Sequence, residues 1–304
     1  MLKKTNTLTF RMAVGMAFAT GVATAATAEC AAYGAFTKAV QDNDFTAAEI
    51  LFETVELDPN CSDDLRSWGA SYLARETFIS AVRDTEDPAQ SEKLLSKALG
   101  YEEHWRTYSE LGRLAGDRED FAEAAMLYQK AINRLAEGPK EHKATDAEIE
   151  EVYQLATASV SLAGEVVELP KMRSGAPGGI FAGTIRGFVV EEVSLPITYQ
   201  FNKTEFDDQG EAFAGVLADH LQEVGATRVV LSGHTDPKGD EDYNLRLSVD
   251  RAEALGKYLE EAGFDGTIEV LGFGETQPPG NVLNLDPDSD EYHRLSRRVV
   301  FTLG

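Results

Sequence analysis

The spacing of apolar residues changes once along this 304-residue chain, and that change constrains the fold more than any other feature. Residues 31–164 carry apolar side chains at helical spacing, with almost no glycine or proline inside the stretches. Residues 196–304 instead alternate short apolar runs with amphipathic stretches, a pattern typical of strands and helices that follow one another. The chain is therefore predicted to contain two domains of different class.

The first half is predicted to be entirely helical, with short connections. Its expected helices are Ala31–Asn43, Thr46–Leu57, Asp63–Arg83, Ala89–Leu99, His104–Leu114, Phe121–Leu135 and Thr145–Leu162.

Two of these helices carry a recognisable spacing of small and aromatic residues. Leu111-Gly112 is followed by an alternation of aromatic residues and alanines, at Phe121, Ala124, Tyr128 and Ala131. This pattern resembles the tetratricopeptide repeat, in which small residues let the helices of a hairpin approach closely. A fainter copy begins at Phe45. Residues 29–164 are thus expected to form TPR-like hairpins that bind a protein partner, and a helical bundle without repeats is the alternative.

The second half predicts a small α/β domain over residues 196–304, after a linker at 165–195 that contains Gly178-Gly179 and a lead-in strand. The order β-α-β-α-β-β implies an α/β sandwich, so the whole chain is predicted to be α + α/β. The expected elements are strand Pro196–Phe201, helix Gly210–Val224, strand Arg228–Ser232, helix Tyr243–Ala262, strand Thr267–Gly272 and strand Arg297–Leu303.

Charge excludes one large class of function. The chain has 52 acidic and 28 basic residues and a net charge of −24, so it lacks the clustered basic residues that nucleic acids require. It is also poorly suited to an anionic membrane surface.

The N-terminus predicts export. Lys3, Lys4 and Arg11 precede an uncharged, alanine-rich stretch that ends at Ala26-Thr27-Ala28. This pattern is typical of a secretory signal peptide, residues 1–28, cleaved after Ala28. A retained membrane anchor is less consistent, since the stretch is short for a ~20-residue span. Lipidation at Cys30 is a further alternative, although Glu29 precedes that residue.

The two cysteines, Cys30 and Cys61, both remain after that cleavage. An even pair in an exported protein favours a disulfide, and two buried thiols are the alternative.

The residues that carry chemistry cluster after the second predicted strand of the α/β half. Asp236 lies in a glycine-bearing loop at the end of that strand, while Asn244, Ser248 and Arg251 share one face of the following helix. Two interpretations are open. Asp236 and Arg251 pair with each other, or they are held apart and bind the ammonium and the carboxylate of a zwitterion.

The same residues belong to a longer pattern. Gly-His-Thr-Asp236, Tyr-Asn244, Leu247-Ser-x-x-Arg251-Ala, Gly-Phe-Gly-Glu275 and Arg297-Arg-Val follow one another with the order and spacing of the OmpA-like C-terminal domain, which the segment from Leu195 to Gly304 resembles. The resemblance implies non-covalent binding of peptidoglycan through diaminopimelate. It also implies that Asp236 and Arg251 hold the ammonium and carboxylate, with Asn244 and Leu247 in contact nearby.

The chain departs from that family pattern in two positions. Asn202 stands where a second aspartate is common, which implies a weaker ammonium site or a preference for an amidated stem peptide. Ser296 replaces the usual asparagine before the two arginines. The segment Gly280–Glu291 is also long for the family, and its role is open.

No residue pattern indicates a metal, a cofactor or an enzyme. His234 has no second ligand at metal-binding spacing, and the acidic residues from Asp286 onward lack the glycine and glutamate of a calcium loop. The sequence therefore predicts a non-enzymatic, wall-associated periplasmic protein, with association to the outer membrane open. A periplasmic scaffold whose OmpA-like domain does not bind the wall is the alternative.

Overall fold

The structure is a computed structural model that describes residues 29–139, 142–163, 184–185, 188–189, 193–195, 197–199 and 203–303. The predicted signal peptide (1–28), Asn202 and most of the predicted linker lie outside the described residues. The chain divides into two compact units, with the boundary between Ser67 and Trp68. The division falls inside the helical half, whereas the domains expected from sequence meet at the linker. Those domain bounds remain a prediction.

The first unit contains two short helices and the beginning of a third: α1 (Tyr33–Gln41), α2 (Phe45–Leu57) and α3 (Asp63–Arg83). Asp44 caps α2 by accepting a hydrogen bond from the backbone N–H of Ala47. The buried rings of Phe36 and Phe52 lie 5.8 Å apart between centroids. The unit also contains the expected disulfide between Cys30 and Cys61.

The second unit continues with α4 (Pro88–Tyr101), α5 (Trp105–Asp117), α6 (Phe121–Glu137) and α7 (Asp146–Leu162), so each predicted helix of the first half is confirmed. Their starts follow from capping side chains, such as the reciprocal capping box of Thr145 and Glu148 on α7. Gly112 lies against the ring of Tyr128, where an added Cβ would be 3.0 Å from the ring atoms. This close approach agrees with the TPR-like spacing, although the repeat itself remains a prediction.

The C-terminal half contains a four-stranded mixed sheet. Its strands, in order across the sheet, are β3 (Val193–Leu195), β6 (Val299–Leu303), β4 (Arg228–Gly233) and β5 (Thr267–Gly272). β4 and β5 are parallel, while β6 is antiparallel to both β3 and β4. A separate two-stranded ladder, β1 with β2, lies in the segment expected to be linker. In chain order, the elements of this half are β1 (Thr184–Ile185), β2 (Phe188–Val189), β3 (Val193–Leu195), α8 (Asp208–Glu223), β4 (Arg228–Gly233), α9 (Glu241–Glu261), β5 (Thr267–Gly272), α10 (Asp290–Ser296) and β6 (Val299–Leu303).

The described strands differ from the expected ones at two places. The strand that pairs with β6 is Val193–Leu195, at the end of the segment predicted to contain a lead-in strand. Pro196, Gln200 and Phe201 of the predicted strand Pro196–Phe201 lie outside the described residues. Within the described part of that segment, Tyr199 forms an isolated bridge with Phe206. The sequence also predicted two consecutive strands at the end of the chain. Helix α10 separates them. Arg297 and Arg298, which were expected to begin the last strand, form the connection between α10 and β6, and β6 begins at Val299.

One buried apolar cluster joins the helices of the second unit to the sheet. It includes Tyr128 and Val160 from α6 and α7, and Ile197, Leu231 and Phe301 from the C-terminal half. Burial of this shared surface fixes the helical residues after Trp68 against the α/β half. Among the described residues, none of the helices combines the length and apolar character that a membrane crossing needs.

Candidate functional site

Helix α9 carries most of the predicted site, and two glycines let it approach the ends of the strands. A Cβ at Gly233 would lie 2.0 Å from the carbonyl oxygen of Ser248, and one at Gly272 would lie 2.3 Å from a methyl group of Val249. Ser248 Oγ then accepts a hydrogen bond of 3.0 Å from the N–H of Gly274. The glycines of the sequence pattern therefore place α9 directly over the carboxyl ends of β4 and β5.

The loop after β4 is tied to the neighbouring strands by its backbone. The N–H of His234 donates to the carbonyl of Arg298 at 3.0 Å, and that of Thr235 donates to the carbonyl of Gly274 at 2.8 Å. The His234 ring is stacked against Phe273, with 5.4 Å between centroids. Burial, assisted by the charge of Arg298, lowers the pKa of His234 to about 3. This histidine is therefore a neutral packing residue at pH 7.

Asp236 follows in this loop and is nearly buried, with 8% of its surface exposed. One carboxylate oxygen accepts a hydrogen bond from the guanidinium of Arg297, and the other accepts one from the N–H of Lys238 at 3.1 Å. Asn244 supports the loop, because its Nδ2 donates to the carbonyl of Asp236 at 3.2 Å and to Oε2 of Glu275 at 2.6 Å.

Arg251 lies two turns further along α9 and is 6% exposed. Its guanidinium lies over the ring of Tyr199, 5.0 Å from the centroid, and its Nε donates to the carbonyl of Lys203 at 3.4 Å. Burial lowers the pKa of Arg251, although the side chain remains charged at neutral pH. Among the described residues, its guanidinium forms no hydrogen bond or ion pair with a carboxylate.

Two neighbouring clefts open beside α9. The first has a volume of about 270 Å³ and is lined by Thr198, Tyr199, Asp207, Gln209, Arg251, Arg294 and Arg297. The second has a volume of about 350 Å³ and is lined by Lys203, Thr204, Glu205, Tyr243, Arg246, Leu247 and Asp250. Both volumes suit the end of a side chain or a short peptide rather than a large cofactor.

The structure thus brings Asp236, Asn244 and Arg251 to one region, while Leu247 lines the adjacent cleft. The direct pair of Asp236 with Arg251, the simpler of the two sequence interpretations, does not occur among the described residues. Asp236 is paired with Arg297 instead. The site prediction omitted Arg297, Arg294 and Tyr199. Arg297 had a signal, since it belongs to the Arg-Arg-Val pattern. Arg294 lies three residues before that pattern and Tyr199 three residues before Asn202, but neither belongs to a motif itself.

Comparison with known proteins identifies the class. The OmpA family profile matches residues 198–281. The chain is 31% identical over 150 residues to the peptidoglycan-associated lipoprotein of Haemophilus influenzae, a match that covers 47% of this chain and 95% of the lipoprotein. It therefore belongs to the OmpA family.

Other relatives share only part of their length with this chain. Outer membrane porin F of Pseudomonas aeruginosa is 31% identical over 112 residues, which cover 36% of this chain and 31% of the porin. Among solved structures, the cell wall anchor of the T6SS from Pseudomonas aeruginosa aligns over 38% of this chain and 83% of its own, with 24% identity and a TM-score of 0.32. The lipoprotein and the porin are named for peptidoglycan and for the outer membrane and not for an enzymatic activity, in agreement with the expectation from sequence.

Proposed function

We propose that the C-terminal domain binds peptidoglycan non-covalently by holding the diaminopimelate residue of the stem peptide. The observation that carries this proposal is Arg251, a nearly buried guanidinium that lines an open cleft and contacts no carboxylate among the described residues. Burying a charge is costly unless a partner compensates for it. A ligand carboxylate that enters the cleft would add to the compensation from Asp207, which lines the same cleft.

The side-chain end of diaminopimelate is a zwitterion, with an ammonium and a carboxylate on the same carbon. Arg251 offers a planar fork that suits the carboxylate. We assign the ammonium to Asp236, whose present partner, the Arg297 side chain, is 41% exposed and can move away when the ammonium arrives. Asn244 holds the Asp236 loop in place for this exchange, and Leu247 provides an apolar wall in the adjacent cleft. Asn202, assigned by resemblance to the same region, lies outside the described residues.

Long-range attraction does not assist this binding. Peptidoglycan carries carboxylates and the chain has a net charge of −24, so the general field opposes the encounter. Recognition therefore depends on short-range contacts, and Arg251 attracts a ligand carboxylate despite the negative potential of the whole chain. Loss of this one residue is expected to cost more than loss of any neutral contact in the clefts.

The helical half and the cellular location complete the proposal. Residues 29–164 bind a protein partner through stacked helical hairpins, while residues 196–304 hold the chain at the wall of the periplasm. The disulfide between Cys30 and Cys61 supports an oxidising compartment, as does the predicted signal peptide. The name of the Haemophilus influenzae relative, a peptidoglycan-associated lipoprotein, supports the wall as ligand. The name of the Pseudomonas aeruginosa relative, an outer membrane porin, supports the outer membrane as a neighbour.

Co-sedimentation with purified peptidoglycan sacculi tests the function. The mature chain is expected to sediment with sacculi, and the variant Asp236→Ala/Arg251→Ala is expected to bind at least about tenfold more weakly, the minimum for loss of a buried charged contact. The matched control Asp265→Ala/Arg228→Ala removes the same charges from exposed positions of this domain and should bind as the natural chain does. Thermal unfolding of each variant separates lost binding from lost folding.

Two results would contradict the proposal. Absence of sedimentation by the natural chain would favour the protein–protein scaffold. Sedimentation that persists in Asp236→Ala/Arg251→Ala would remove this site from the function. Sacculi incubated with the chain should also release no muropeptides, since no enzymatic activity is proposed.

A further inference from the structure

A third arginine lines the first cleft, and it comes from an element that the sequence did not predict. Arg294 lies on α10, directly after the long segment 280–291, and shares the cleft with Arg251 and Arg297. Its Nη1 donates a hydrogen bond of 3.1 Å to the carbonyl of Leu162. Among the described residues it forms no ion pair with a carboxylate.

Helix α10 is held in place from two sides. Leu295 packs in a small buried cluster with Ala158 and Leu162 of α7, and Val282 and Leu283 of the long segment pack against that cluster. At its other end, Asp290 forms an ion pair of 3.3 Å with Lys238 in the Asp236 loop. The long segment and α7 therefore give Arg294 a fixed support beside the cleft.

The charged residues that line the cleft are three arginines and one aspartate, so positive charge is in excess. The carboxylate of Asp207 accepts hydrogen bonds at Oδ1 from Thr198 Oγ1 at 2.5 Å and from the N–H of Gly210 at 2.8 Å. It forms no ion pair with an arginine among the described residues, while Arg297 is paired with Asp236. Arg251, which is buried, and Arg294, which is exposed, form no ion pair with a carboxylate among the described residues. In a chain of net charge −24, two guanidinium groups in one cleft indicate a ligand with more than one carboxylate.

We propose that Arg294 binds a second carboxylate of the ligand whose first carboxylate is bound by Arg251. This inference rests on the proposed function and adds a specificity to it. A stem peptide carries carboxylates besides the one at the side-chain end of diaminopimelate, on its D-glutamate and at its C-terminus. The cleft then prefers a stem in which one of these groups is free over a stem in which it is an amide.

Calorimetric titration of the mature chain with synthetic tripeptides tests the proposal. The probes are L-Ala-γ-D-Glu-meso-diaminopimelate, its amide at D-glutamate and its amide at the C-terminus. We expect one of the two amides to bind the natural chain about tenfold more weakly than the free peptide, which is the loss of one charge-assisted contact. The variant Arg294→Gln should bind the free peptide about tenfold more weakly and should no longer distinguish it from that amide. The control Arg228→Gln, at an exposed ion pair of the same domain, should retain the preference.

The outcomes separate this proposal from the function on which it rests. If Arg294→Gln weakens all three peptides equally, Arg294 only supports the fold through Leu162, and the specificity proposal is wrong while the function stands. If the natural chain binds the free peptide and both amides equally, the second carboxylate contact does not exist. If the natural chain binds none of the peptides, both proposals fail.

Discussion

The carboxylate of Asp236 is paired with the guanidinium of Arg297, a residue 61 positions further along the chain. This pair closes the loop after β4 onto the connection between α10 and β6. It also neutralises Asp236 without using Arg251, so the buried guanidinium of Arg251 on α9 remains available to a ligand in the cleft.

The Asp236–Arg297 pair predicts a measurable coupling in stability. Arg297→Gln should lower the free energy of unfolding by about 1–2 kcal/mol, because it leaves a nearly buried carboxylate without its partner. The exposure of the arginine keeps this value below that of a fully buried pair. The double variant Asp236→Asn/Arg297→Gln should recover most of the loss in urea denaturation. If the losses of the single variants Arg297→Gln and Asp236→Asn simply add in the double variant, the pair contributes nothing to stability.

Removal of the disulfide should destabilise the first unit. The variant Cys30→Ala/Cys61→Ala opens a loop of sequence separation 31, for which the chain-entropy model gives a loss of roughly 3–4 kcal/mol. Denaturant titrations measure this loss of unfolding free energy in the oxidised natural chain, the reduced natural chain and the variant. The reduced chain should match the variant, and an unchanged midpoint in both would contradict the prediction.

The glycines under α9 should not tolerate a methyl group. In Gly233→Ala the new Cβ meets the backbone carbonyl of Ser248, which cannot rotate away as a side chain can. We expect a loss of stability of about 1–3 kcal/mol, together with weaker binding to sacculi. Gly215→Ala is the matched control. It lies within α8, where an added Cβ meets its nearest atom at an ordinary 3.4 Å, and should be neutral or slightly stabilising. Equal effects of the two substitutions would contradict the close approach of α9.

Stability should decrease in mild acid because of His104. Its Nδ1 accepts a hydrogen bond from the N–H of Arg106 at the start of α5, and burial lowers its pKa from 6.5 to about 3. The native state therefore binds the proton less readily than the unfolded state, and stability is lost as the pH falls below 6.5 toward 3.

The variant His104→Asn keeps a capping side chain and removes the titrating ring. Between pH 7.5 and 5.5, the natural chain should lose about 1 kcal/mol more unfolding free energy than this variant does. Denaturant titrations at the two pH values provide the measurement. An identical loss in both proteins would show that folding does not lower the pKa of His104.

Local patterns predicted the helices and the position of the site, while contacts over long distances in sequence could not be predicted. The spacing of Ala124, Tyr128 and Ala131 indicated a tightly packed helix, and all three are fully buried. The pairing of Asp236 with Arg297 depends on how β6 returns beside β4, which no local pattern encodes.

Helix α10 begins in an acidic segment that contains a proline, and no helix was predicted there. Its one local signal was Ser289, which caps the helix, followed by Asp290 and Glu291 in the first turn. The unit boundary between Ser67 and Trp68 falls inside α3, where the composition does not change.

The most direct test of diaminopimelate binding is a comparison of two peptides that differ in one carboxylate. L-Ala-γ-D-Glu-meso-diaminopimelate and L-Ala-γ-D-Glu-L-lysine both present an ammonium at the side-chain end, but only the first has the carboxylate assigned to Arg251. In calorimetric titration, the natural chain should bind the diaminopimelate peptide at least about tenfold more tightly than the lysine peptide. Arg251→Lys should lose most of that difference while remaining folded. Equal affinity of the natural chain for the two peptides would contradict the role of Arg251 and with it the proposed mode of binding.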